Sequence, residues 1–175
     1  MLRATTDVYH PRGRGHDIAA IQCIGIEADE RFVAVGHPEL ADGSTIPAPV
    51  AEAALADGRL SVAVVDQEVA GWIYTTRIDG ELCIGQISVA IHHGQRGIGS
   101  ALLDTVITEA RARGERSIVL NAQADVAWNR AWYESYGFVV LPREQWTPAL
   151  ELLAAEQTST GLDWTSRIHM RLVLV

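Results

Sequence analysis

Between Ile87 and Leu103 the chain reads ISVAIHHGQRGIGSALL, an order of residues that few backbone arrangements accommodate. An apolar, partly β-branched stretch runs into a loop holding Gly94, Gly97 and Gly99, and the loop opens into an apolar pattern of helical period. A strand that turns through glycine into a helix aims several main-chain N–H groups at one point, with the positive end of the helix dipole behind them. Gly97 and Gly99 let a ligand approach the backbone with no Cβ in the way, and Arg96 adds charge and a bidentate donor. The segment is therefore a candidate anion site, with phosphate as its common occupant. Two phosphate loops are excluded. GxxxxGK[ST] requires a lysine, and all 14 basic residues are arginine. The dinucleotide fingerprint requires a third glycine, where this chain continues Ser100-Ala101-Leu102.

Around that segment the period of the apolar residues changes along the chain. Leu2 to Val8 predicts a first strand and His10 to Gly15 a loop. Ile18, Ile21, Ile24 and Phe32 lie at helical spacing within Asp17 to Phe32. A turn-rich stretch from Gly36 to Pro49 precedes a short helix over Val50 to Ala56. The period then becomes two. Leu60 to Asp66, Val69 to Ile78 and Glu81 to Ile91 read as a meander, turned at Gln67-Glu68 and at Asp79-Gly80. Past the glycine loop, Ala101, Leu102, Leu103, Val106, Ile107 and Ala110 line one side of a helix that stops at Gly114. Strands are predicted over Ser117 to Ala122, Phe138 to Leu141 and Arg167 to Leu174, and helices over Val126 to Tyr136 and Pro148 to Glu156. The expected class is α+β with a mixed sheet, in one domain spanning residues 1–175.

Charge excludes some partners. With 14 basic and 22 acidic residues the net charge is −8, which disfavours nucleic acid and suits a cationic ligand. The start has no apolar signal core, and no apolar run reaches about 18 residues, so no membrane partner is expected. Cys23 and Cys83 form no CxxC pair, which points to free thiols in a reducing cytoplasm.

A second segment, Asn129 to Phe138, reads NRAWYESYGF. Ile87-Ser88-Val89, then Gly94-Gln95-Arg96-Gly97-Ile98-Gly99, then Tyr133-Glu134-Ser135-Tyr136-Gly137-Phe138 together resemble the GNAT superfamily of acyl-CoA-dependent N-acetyltransferases. The order of elements agrees along the whole chain. The resemblance implies an α/β/α fold with a mixed, mostly antiparallel, splayed central sheet flanked by helices. It implies acetyl-CoA as co-substrate, with the amides of Gln95, Arg96, Gly97, Ile98, Gly99 and Ser100 around the pyrophosphate. Ile87, Ser88 and Val89 would pair with the pantetheine arm, the Ile87 amide would polarise the thioester carbonyl, and Asn129 would contact the pantetheine. Tyr133 matches the tyrosine that protonates the departing thiolate. A homodimer would also be in keeping with the family.

The sequence departs from that pattern in four places. Gly94 occupies the first loop position, with Gln95 one place late; Val126 stands where the family's asparagine is usual; Cys83, Gly85 and Gln86 offer no carboxylate before the loop; and Asn121 replaces the glutamate of protein-N-terminus acetylators. Glu27, on the first helix, is then the acceptor-side carboxylate to bind the amine or take its proton. An alkylamine is neutral in about one part in 10³ at pH 7, a penalty of about 4–5 kcal/mol, and a positioned base is worth about 10²–10⁴-fold. Holding amine and thioester together contributes up to about 7–11 kcal/mol.

The resulting expectation is direct attack of a small cationic amine on acetyl-CoA in a ternary complex. The alternatives are acetylation of a protein lysine or N-terminus, and a sensor that binds acyl-CoA without turnover. His92 and His93 read as exposed turn residues, and with no third ligand at metal-binding spacing no metal is expected. Cys83 alternates into the core. Trp72, Tyr74, Trp128 and Trp146 line either an acceptor pocket or the core.

Overall fold

The computed structural model describes residues 7–9 and 16–174. The loop expected over His10 to Gly15 and the first part of the expected strand, Leu2 to Thr6, lie outside the described residues. The described chain holds strands β1 (Asp7–Tyr9), β2 (Leu60–Val65), β3 (Glu68–Ile78), β4 (Glu81–Val89), β5 (Ser117–Gln123), β6 (Val139–Val140) and β7 (Arg167–Val173). Its α-helices are α1 (His16–Val33), α2 (Ala48–Ala56), α3 (Ile98–Ala112), α4 (Ala127–Ser135) and α5 (Pro148–Ser159). It is a mixed, mostly antiparallel sheet with helices, as expected. The chain divides into two compact units, residues 1–75 with 86–108, and residues 76–85 with 109–175.

In the first unit the strand order is β1-β2-β3-β4. β2 runs antiparallel to both β1 and β3, with a register shift between Ala63 and Val64. Asp66 and Gln67, both at positive φ, turn β2 into β3 without a glycine. Ile18, Ile21 and Ile24 put one stripe of α1 into a core with Ala51, Ala54 and Leu55 of α2, Leu60 and Val62 of β2, and Trp72 of β3. Trp72 is fully enclosed, which assigns it to the core and not to a pocket wall. α2 begins two residues earlier than its sequence signal, because Pro49 is tolerated in a first turn where the N–H has no helical acceptor.

In the second unit the order is β4-β5-β7-β6. β4 pairs in parallel with β5 over Leu82–Ile84, and β5 pairs antiparallel with β7 along its whole length. Cys83, Val119, Leu141 and Leu150 form the core here, with Trp146 packed against it. Thr147 caps α5 by accepting from the Leu150 N–H at 3.4 Å, with Pro148 at the first helical position. Trp146 stacks edge-on to Trp164 and to the buried His169, whose Nε2 lies 3.3 Å from the Leu150 carbonyl. Glu81 is held by a bidentate Arg171 at 2.8 and 2.9 Å and by the Ser117 hydroxyl at 2.6 Å. Arginine also supplies the cation in the pairs Arg77–Glu115, Arg113–Glu109, Arg130–Glu134 and Arg143–Glu151.

Candidate functional site

The first unit carries the glycine loop. β4 ends at Val89, a 3-10 turn covers Ile91–His93, and α3 starts at Ile98. Gln95 at φ +59 and Gly97 at φ +80 give the loop its reversal. The Gly97 carbonyl accepts from the Ala101 N–H at 2.9 Å, so the helical ladder begins there. The N–H groups of Ile98, Gly99 and Ser100 in the first turn consequently have no helical acceptor. A Cβ built on Gly97 would meet nothing within 4 Å, so the space over the loop is open where a ligand would rest. Gln95, Arg96 and Gly97 are exposed, while Ile98 is buried and anchors the helix start.

The anchor depends on a glycine that the sequence does not single out. A Cβ on Gly71 of β3 would lie 2.8 Å from the Ser88 carbonyl oxygen and 3.2 Å from Ile98 Cγ2. Only a bare backbone at residue 71 lets β4 and the start of α3 approach β3 this closely. Ser88 is buried, and its hydroxyl accepts from the Gln86 side-chain amide at 3.2 Å. Ile87 and Val89 are half-buried on β4. Glu27 is half-buried on α1.

The two histidines part company. His92 is exposed as expected, but His93 is only 7% exposed, and its Nδ1 lies 2.8 Å from an Arg96 guanidinium nitrogen. Arginine can only donate, so Nδ1 accepts and the proton of the neutral ring sits on Nε2. Burial, with help from His92 and Arg96, holds the His93 pKa below the usual histidine value. The i, i+3 spacing of His93 and Arg96 at a turn was the sequence signal for this contact.

The second unit carries Tyr133 and Asn129. Gly137, at φ +89, closes α4 and folds the chain back so that the Phe138 N–H reaches the Tyr133 carbonyl at 3.2 Å. The Phe138 ring then packs edge-on to Tyr133 at 5.8 Å, and the Trp132 ring lies 4.9 Å away. Those contacts explain the spacing of the tyrosine–glycine–phenylalanine element. Burial pushes the Tyr133 phenol well above its ordinary pKa, and Arg167 opposes part of that shift. The phenol is therefore neutral, the form that can give a proton. Arg167 also bonds the Asn121 side-chain oxygen. Asn129 Oδ1 accepts from the Gln123 N–H at 3.0 Å, which ties α4 to the end of β5 and leaves its amide nitrogen as the group to offer a ligand. Cys83 is 3% exposed with its thiol pushed up to about 12 by burial and by Glu81, which removes it as a nucleophile at neutral pH. Trp128 is exposed.

A sequence model described as the Acetyltransferase (GNAT) family matches residues 22–138, which takes in the glycine loop and the tyrosine element. The chain belongs to the GNAT acetyltransferase family. Solved structures agree on the fold. An acetyltransferase of the GNAT family from Staphylococcus aureus superposes with a TM-score of 0.67 at 14% identity, covering 98% of this chain and 100% of that one. The ribosomal-protein-S18-alanine N-acetyltransferase from Escherichia coli gives 0.61 at 19%, covering 97% and 94%. The PaiA N-acetyltransferase from Thermoplasma acidophilum, in complex with coenzyme A, gives 0.66 at 12%, covering 97% and 99%. At 12–19% identity these likenesses show the fold alone, so this chain's acceptor has to be argued from its own residues. Among the described residues no helix is long and apolar enough to cross a membrane.

Proposed function

We propose that this chain works as a single catalytic domain that moves an acetyl group from acetyl-CoA to the primary amine of a small cationic molecule, by direct attack. The observation that carries the reading is the head of α3, where a left-handed turn through Gln95 and Gly97 leaves open space beside first-turn amides that have no helical acceptor. That geometry accepts a pyrophosphate, with Arg96 supplying charge. The Ile87 N–H polarises the thioester carbonyl and steadies the oxyanion as the amine nitrogen attacks its carbon. The C–S bond breaks, and the thiolate takes the phenolic proton of Tyr133. The proton lost by the amine goes to Glu27, directly or through water. Ser88 and Val89 hold the pantetheine arm along β4, with the Asn129 amide as a further donor.

A cationic acceptor accords with the net charge of −8. Asn121 supplies no carboxylate, and its side-chain oxygen is bonded by Arg167, which argues against the glutamate-dependent acetylation of protein N-termini. The test has two stages. Acetyl-CoA at about 100 times its Kd stabilises the folded state by about 2.7 kcal/mol, raising Tm by about 5–10 °C. Arg96→Ala or Gly97→Val diminishes that rise. Release of free thiol is then followed with a panel of polyamines, amino-acid derivatives and N-terminal peptides. No thermal shift in folded, CoA-free protein overturns the reading, and turnover with peptides alone replaces the small acceptor by a protein one.

A further inference from the structure

Beside the glycine loop, three side chains from two separated stretches of the sequence converge. Glu68, the first residue of β3, and the neighbouring His92 and His93 each place a ligand atom within 4.8 Å of the other two. The sequence offers no third ligand near the histidine pair, and it is the fold that brings Glu68 to it. The two imidazole rings are 4.2 Å apart at an angle of 43°, so they do not stack flat and shield each other's nitrogens. A second observation points the same way. His93 is more than nine-tenths buried, and its Nε2 has no hydrogen-bond partner among the described residues. An unpartnered ring nitrogen in a buried site is costly, and proteins retain such groups where a ligand completes them.

We infer that Glu68, His92 and His93 form a binding site for a divalent transition-metal ion of the Zn²⁺ class, and that the ion competes with Arg96 for His93. Two imidazoles and a carboxylate are the donor set of open three-ligand zinc sites, with the fourth position left to water or an anion. Ligand atoms about 2.0–2.2 Å from a tetrahedral ion are about 3.4 Å from one another. The side chains of Glu68 and His92 are exposed, so rotamer changes alone draw them in. Arg96 sets the competition. At present its N–H is received by His93 Nδ1. If the metal takes Nε2, the ring's one proton moves to Nδ1 and faces a second donor. If the metal takes Nδ1, it occupies the acceptor itself. In either case Arg96 has to leave, and its positive charge opposes the ion until it does. The ion would thus release Arg96 from the histidine it now holds.

The probe is Zn²⁺ alone, titrated into chelator-stripped full chain against a chromogenic competitor, with no acetyl-CoA present. One equivalent per chain is expected. His92→Ala and Glu68→Gln, both at exposed positions, should each weaken binding at least about tenfold, with melting temperatures unchanged in the absence of metal. Arg96→Ala should tighten it several-fold, the opposite of a general loss of structure. The site is overturned if no saturable equivalent binds, if His92→Ala and Glu68→Gln bind as the parent does, or if binding disappears instead with Cys23→Ser, the exposed thiol. Unchanged or weaker binding by Arg96→Ala overturns the competition.

Discussion

Gly71→Ala probes how the loop is held. The added methyl would sit 2.8 Å from the Ser88 carbonyl oxygen, 3.2 Å from Ile98 Cγ2 and 3.3 Å from Val89 Cα. A relaxed C···O contact is about 3.3–3.6 Å, so a main-chain carbonyl has to retreat by about 0.5 Å or more. Overpacking of this kind costs about 1–3 kcal/mol, and the lost chain freedom of the unfolded glycine returns about 0.5–1 kcal/mol. A net loss of about 1–2 kcal/mol lowers Tm by about 2–8 °C for a chain of this length. The displacement is not absorbed locally, because Ser88 and Ile98 flank the loop on its two sides. Acetyl-CoA affinity, read by calorimetry or by ligand-induced thermal shift, should therefore fall along with stability. Gly80→Ala is the control. Gly80 lies at a hairpin tip at φ +77 with open space around its Cβ, so alanine there strains the backbone without touching the loop. It should lower Tm while leaving acetyl-CoA affinity as it was. A Gly71→Ala protein that melts within about 1 °C of the parent and binds acetyl-CoA equally well would refute the account of how β3 seats the loop.

Three further outcomes follow from the geometry. Tyr133→Phe keeps the ring contacts with Trp132 and Phe138 and should lower kcat about 10²-fold with acetyl-CoA binding unchanged; a kcat within twofold of the parent removes the tyrosine from the chemistry. His93 and His169 are both held below the usual histidine pKa, chiefly by burial, so below pH 6.5 the unfolded chain takes up protons that the folded chain refuses. Stability should then be lost as pH falls from 6.5, His169→Gln should make the loss shallower, and a Tm flat between pH 7 and 5 would contradict this. Glu81→Gln breaks a half-buried bidentate pair with Arg171 and weakens the Ser117 bond, which should cost about 1–3 kcal/mol by chemical denaturation, whereas an unchanged midpoint would show the cluster to be idle.

The sequence disclosed most of the frame because its periods were clean. The isoleucine stripe of α1 shows as a helical period, and the Asp79-Gly80 turn and the Gly114 and Gly137 stops act through local backbone preference. What escaped was non-local. Gly71 looks like any glycine in a strand until Ser88 and Ile98 are brought against it. Glu68 looks like a solvated turn residue until pairing sets it beside the histidines. Adjacent histidines in a polar turn are usually exposed, whereas the burial of His93 comes from packing, and Arg96 takes up one of its nitrogens. The Asp66-Gln67 turn also ran against local preference, since neither residue favours positive φ as glycine does. In the candidate site the loop and Tyr133 were legible as motifs, whereas the use of Asn129 Oδ1 as a tie to β5 was not.

The ion pairs have one more consequence. Arg59, Arg77, Arg113, Arg130, Arg143 and Arg171 each pair with a carboxylate, and no position in the chain holds a lysine. A guanidinium stays protonated at any physiological pH and does not attack thioesters, whereas a lysine amine slowly does. A protein built around a reactive acyl donor thus presents no side-chain amine to its own reagent. Its surface charges resist the slow acylation that would neutralise lysine-based pairs. Prolonged incubation with excess acetyl-CoA, followed by digestion and mass spectrometry, should find no acetylated basic side chain; stable acetylation at an arginine would contradict this immunity.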